Sequence, residues 1–168
     1  PKAPSLPDQP EGTAAHQVLG VLASEMESVG DDAKAAVYHQ ERVASSPHSA
    51  TAWYDYACFL MRTNDAPLAE ECTREAIALS PASAECLLAH GTVLASRGNL
   101  EQAEVFLKAA LEQQPQATDG WLTMALLYDL LGRTADMKTS TKQARLLHGQ
   151  DSLEGCYLAL ANKLLPLN

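Results

Sequence analysis

The sequence predicts an all-α solenoid of repeated helix pairs, and three observations carry that prediction. Pro47, Pro81 and Pro115 stand 34 residues apart, Gly30, Asn64, Gly98 and Gly132 keep the same interval, and small and apolar residues recur in matching places between them. A fixed period of that length marks a helix-turn-helix array, in which each unit buries its apolar face only against its neighbours.

Four windows follow, 16–49, 50–83, 84–117 and 118–151, with a last segment from Ser152. Each window reads as two helices, so helices are expected near 14–28, 32–45, 50–63, 66–79, 84–97, 100–113, 118–131 and 134–147, with a ninth at 152–165. Gly30, Gly98 and Gly132 suit a left-handed residue at a helix end, and Asn64 is the residue that best replaces glycine there. Asp31, Asp65 and Asn99 read as N-caps of the helices that follow, with Asn99 and Gln102, like Asp151 and Glu154, spaced as capping boxes. The small residues Ala57, Gly91 and Ala125 let the first helix of a pair approach the second, where Ala69 and Ala103 leave room in return. The large Trp53, Trp121 and Tyr128 fill the space between units.

The third window carries Leu87, His90, Gly91 and Leu94, then Ala103, Leu107 and Ala110, then Pro115. The second carries Trp53, Tyr56, Ala57 and Leu60, then Ala69, Ala76 and Pro81, with Thr73 where a large apolar residue is usual. The fourth has Trp121, Met124, Ala125 and Tyr128, but Met137, Thr141 and Gly149 depart from the pattern. The first is the most worn, with His39 and Arg42 in core places. This pattern resembles the tetratricopeptide repeat, W-x2-L-G-x2-Y, then A-x3-F, then P. The resemblance implies a right-handed superhelix, a protein-binding function and no catalytic residues. The chain is also similar to the tetratricopeptide arrays of large cilia- and flagella-associated proteins, which implies a ciliary or flagellar axoneme as one location. Leu158 and Ala159 lie 34 residues beyond Met124 and Ala125, so 152–165 is expected to cap the stack; the alternative is that it detaches and presents Leu153, Tyr157, Leu160 and Leu164 to another protein.

Composition narrows the function. The 168 residues carry a net charge of −9, which opposes a nucleic-acid backbone or an anionic membrane as partner, and no apolar run reaches the length of a membrane span. Residues 1–13 hold four of the nine prolines and read as a linker or end, leaving 14–168 as the repeat domain. Cys58, Cys72, Cys86 and Cys156 have no metal or redox spacing, so they read as reduced packing thiols of a cytoplasmic or other reducing compartment. His16, His39, His48, His90 and His148 are scattered, no phosphate loop is present, and no cofactor, metal or catalytic group is expected. An accessory domain of an enzyme is the reading from a different class.

The family resemblance also implies a concave groove lined by the first helices. One row is Gly20, Tyr54, Leu88, Leu122 and Cys156, and the next is Ser24, Cys58, Thr92, Leu126 and Leu160. Glu85 and Asp119 flank one side, with Met61 and Asp129 on the other, so an apolar floor with an acidic border is expected. Such a groove suits a peptide or amphipathic helix carrying apolar anchors among basic residues. The branch of the family that grips acidic chaperone tails needs Lys, Asn and Arg in its clamp; here those places hold Gly20, Ser24, Asp55, Glu85 and Ala89, so such a tail is not the expected partner. Lys138, Lys142 and Arg145, extended by Arg133, form a basic stripe, read as a solvated face or a dock for an acidic surface. Self-assembly as a homodimer through the groove or the last helix is the alternative to a separate protein partner.

Overall fold

A computed structural model describes residues 14–148. They form eight helices: α1 (Ala14–Ser28), α2 (Asp32–Ser45), α3 (Ala50–Arg62), α4 (Ala66–Leu79), α5 (Ala84–Ser96), α6 (Leu100–Gln113), α7 (Thr118–Leu130) and α8 (Thr134–His148). Every boundary lies within one residue of its expected place. The expected linker at 1–13 and the capping helix at 152–165, with its cap at Asp151 and the thiol of Cys156, lie outside the described residues. Among the described residues there is no strand, and no helix is long and apolar enough to cross a membrane.

The turns explain the regularity. Asn64 (φ 64°), Gly30 (φ 77°), Gly98 (φ 80°) and Gly132 (φ 69°) all adopt the left-handed conformation. Beyond each, a backbone N–H returns to the helix just ended: Asp31 to the Met26 carbonyl, Asp65 to Leu60, Asn99 to Leu94 and Arg133 to Tyr128. This closes orphan carbonyls at the helix end. Asp31 and Asp65 cap the next helices by accepting from the Lys34 and Leu68 amides. Asn99 occupies the N-cap of α6 but its side chain makes no cap hydrogen bond, so the expected capping box there is absent. Ser49 and Ser83, which the sequence reading passed over, cap α3 and α5 through the Ala52 and Cys86 amides.

Each odd-numbered helix packs most extensively on the even one after it, the second helix of each pair packs on the first of the next, and first helices touch across units, α3 with α5 and α5 with α7. Gly91 shows why the pairs close so tightly: a Cβ there would lie 2.8 Å from Leu107 Cγ. Trp53 and Trp121 are half-buried against the cores, and each indole N–H donates to the carbonyl of the proline turn before its helix, Pro47 (2.9 Å) and Pro115 (2.8 Å).

Neighbouring units are also joined at the surface. Arg62 reaches Asp32 (2.7 Å), Arg97 reaches Glu70, and Arg133 reaches Glu104 (2.9 Å), each arginine bridging from the end of a first helix to the second helix of the unit before. Such half-exposed pairs contribute little singly, about 0–1 kcal/mol, but they recur at each junction. Arg133 is thereby removed from the expected basic stripe: it also pairs with Asp136 and lies over the Tyr128 ring, 4.6 Å from its centre.

Candidate functional site

The first helices do line an open groove, whose chemistry changes along its length. Its larger part is a cleft of about 830 Å³ bordered by α1, α2 and α3, and beyond it a smaller recess of about 140 Å³ continues between α3, α5 and α7. Tyr54, Cys58 and Met61 of α3 line both. Three groove candidates from one helix thus stand where the two parts meet.

The smaller recess fits the sequence expectation best. Leu88 and Thr92 of α5, both half-buried, line it with Tyr54 and Cys58, while the exposed Glu85 and Asp119 stand on its border. Burial raises the Tyr54 phenol well above its ordinary range, reinforced by neighbouring Cys58, Glu85 and Asp55, so it remains a neutral hydroxyl. Met61 is 9% exposed and serves core and groove together.

Two candidates are corrected. Leu122 and Leu126 do not face outward: they are 1% and 2% exposed, and Leu126 belongs to the core cluster with Leu94 and Leu107. The physical reason lies in the middle of α7, where Leu122 through Tyr128 make two turns that are buried on every side, while its ends, with Asp119 and Leu130, stay exposed. The groove row that stands open in α3 and α5 is therefore closed in α7.

The larger cleft corrects the expectation of an apolar floor. Arg42 and His39, on α2, reach through to line it, joined by Arg62, Glu27 and Asp55. Gly20 makes the room, since a Cβ there would lie 3.2 Å from the Arg42 Cζ. Arg42 donates from Nε and Nη2 to His16 Nε2 (3.3 and 3.2 Å) and from Nη1 to Asp55 (2.5 Å), tying three helices together. His39, 3% exposed, donates from Nε2 to Glu27 (2.8 Å) and packs beside the Tyr56 and Phe59 rings. The two residues that looked worn in the first repeat are thus a polar junction. Sequence reasoning missed them as cleft residues because they lie on a second helix; the small Gly20 opposite was the available signal. Arg42 and Arg62 enter near the places of a carboxylate clamp, but each is already paired to an acid of the chain.

The thiols divide. Cys72 and Cys86 are buried, and burial pushes the Cys72 thiol up to about 12. Cys58 departs from the packing expectation: it is exposed on the groove. On α8, Lys138, Lys142 and Arg145 are exposed as expected.

Paired helices of 34-residue period, left-handed corners and a groove of first helices define a tetratricopeptide repeat protein. The family model for the "Cilia and flagella-associated protein 70 middle TPR-like domain" matches residues 19–148. The chain belongs to that family. It is 29% identical over 157 residues to human cilia- and flagella-associated protein 70, covering 87% of this chain, and 33% identical over 92 residues to the Macaca fascicularis protein, covering 52%. The chain spans only 14% of the length of the first and 9% of the second. Among solved structures it is similar to PilF of Pseudomonas aeruginosa (TM-score 0.74, 22% identity, 89% of this chain and 68% of that one). It is also similar to a thermophilic TPR protein of Thermus thermophilus (TM-score 0.73, 22% identity, 87% and 81%) and to MamA (TM-score 0.73, 14% identity, 90% and 91%). At these identities the likeness speaks for the fold. A fold of this kind is a protein-protein interaction scaffold.

Proposed function

We propose that this scaffold takes a basic amphipathic segment of a partner protein, helical or extended, in the groove between α1 and α7, as part of a larger ciliary or flagellar protein. The observation that carries the reading is the small recess: Tyr54 and Leu88 supply apolar footing, and the exposed Glu85 and Asp119 offer carboxylates to a lysine or arginine beside the anchor. Apolar contact sets the affinity, and the acidic border steers the approach. The paired arginines and acids of the larger cleft give the segment's other end a polar, nearly neutral bed. The scaffold acts by binding and not by catalysis, and an acidic chaperone tail would meet an acidic border with no spare cation behind it.

The names of the relatives, cilia- and flagella-associated proteins, support that location. Capture from a ciliated-cell extract tests the reading. Cys58 is exposed on the groove, so Cys58→Arg fills and repels without opening a core cavity. Loss of a central contact costs about 2 kcal/mol or more, roughly thirtyfold in affinity. Cys58→Arg should therefore lose the proteins that the parent chain and a Val105→Arg control on the outer face of α6 retain. Equal capture by all three would place recognition elsewhere.

A further inference from the structure

Among the described residues, seven of the ten lysines and arginines are committed to carboxylates of this chain. Every lysine and arginine from Lys34 to Arg133 is ion-paired with a carboxylate of the same chain. Lys138, Lys142 and Arg145 have no such partner among the described residues, and all three are exposed on α8. Their spacing places them on one stripe. Leu146, which is 70% exposed, follows Lys142 by four residues and lies beside that stripe. An apolar side chain flanked by three unpaired cations is the chemistry that the groove's acid-bordered recess is built to receive.

We infer that the basic stripe of α8 docks in the groove of a second copy of this chain, with Lys138, Lys142 and Arg145 toward Glu85 and Asp119 and Leu146 toward Tyr54 and Leu88. The dimensions agree. Lys138 and Arg145 are about 10 Å apart along the helix axis, near the roughly 10 Å that separates stacked helices, and Glu85 and Asp119 stand on consecutive first helices. Glu85 and Asp119 have no ion-pair partner among the described residues, so neither surface must break an internal bridge to form the contact. The outer face of α4 also offers Glu71 and Glu75, acids with no ion-pair partner among the described residues, but neither lines the cleft or the recess described above. Donor and acceptor surfaces differ, so the association runs head to tail and leaves one groove and one α8 open at the ends of a chain of copies. The inference rests on the groove reading above and names one occupant, which a partner segment of similar chemistry would displace.

Sedimentation of the 168-residue chain tests it. At about 50 mM salt the mean mass should rise with concentration above the 18.0 kDa monomer, and at about 500 mM salt, where the Debye length falls to roughly 4–5 Å, it should return to it. Reversing Lys138, Lys142 and Arg145 to Glu should weaken association about tenfold or more, as should Glu85→Lys with Asp119→Lys. Mixing the two variants should restore it, because an acidic α8 then meets a basic groove. Glu71→Lys with Glu75→Lys should leave it unchanged. A chain that stays monomeric at low salt while its Cys58→Arg variant still loses captured proteins would overturn the self-docking inference and leave the groove reading standing. Failure of the mixed variants to associate, or loss on reversing Glu71 and Glu75 alone, would overturn it as well.

Discussion

Thr73 and His90 stand out at the scale of single residues, because both break the repeat pattern and each explains the other. Thr73 Oγ1 donates to the Glu70 carbonyl (3.1 Å), so the His90 Nδ1–H donates to Thr73 Oγ1 (2.8 Å), and both side chains are buried. The sequence displayed two misfits 17 positions apart, but nothing in a 34-residue period says that they meet. Burial holds the imidazole below its ordinary range, with Glu70 raising and Arg74 lowering it to a smaller extent. Thr73→Val should cost about 1–3 kcal/mol by stranding the His90 N–H, and Thr73→Val with His90→Leu should recover much of that loss in a urea titration. The pH dependence has a definite sign. The unfolded chain binds a proton at His90 near pH 6.5 and the folded chain only below that, so stability is held at neutral pH and falls as pH drops beneath about 6.5 toward the lower folded value. The double variant should show a shallower fall over that window; an identical slope would mean that His90 is not the group responsible.

At the scale of helices, period and turn chemistry were enough to place all eight, because most boundaries carry local signals: left-handed corners after α1, α3, α5 and α7, oxygen caps before α2, α3, α4 and α5, and prolines two residues past α2, α4 and α6. What stayed hidden was the direction of side chains in a worn unit. Arg42 and His39 looked like failed core residues and are instead polar links from α2 to α1 and α3, and Gly20 leaves the space that the Arg42 guanidinium occupies. Close helix approach gives a direct check. Gly91→Ala adds a Cβ 2.8 Å from Leu107 Cγ and 3.3 Å from the Ala103 carbonyl, and Leu107 is fully buried with nowhere to retreat. Overpacking of this kind costs about 1–3 kcal/mol, against a gain of up to about 1 kcal/mol from the better helix former. A net loss in thermal melting is expected; a gain would show that the α5–α6 pair is looser than its geometry.

At the scale of the whole molecule, the groove was legible in outline and not in detail. Tyr54, Cys58, Leu88 and Thr92 line it as the repeat register implied, with Glu85 and Asp119 at its border, but Leu122 and Leu126 are buried. Register assigns a residue to a face of its helix; whether that face is open depends on what packs over it, and the middle of α7, from Leu122 to Tyr128, is buried all round. The same limit applies to charge. Sequence counts showed an acidic chain with one basic stripe, while the ion pairs show that, among the described residues, the cations of Lys138, Lys142 and Arg145 stay unpaired.

The groove is the central claim, and Cys58 allows it to be tested at one atom. Its thiol is exposed between Tyr54 and Met61, whereas Cys72 and Cys86 are buried and Cys72 is shifted to about 12, so a maleimide should modify Cys58 first once Cys156 is replaced by serine. The measurement is the rate of Cys58 alkylation in that variant, alone and saturated with a protein that it captures from ciliated-cell extract. A buried hot-spot position excludes solvent, so occupancy of the groove predicts a slowing of about tenfold or more. An unchanged rate with the partner bound would contradict the account and move recognition to another face of the solenoid.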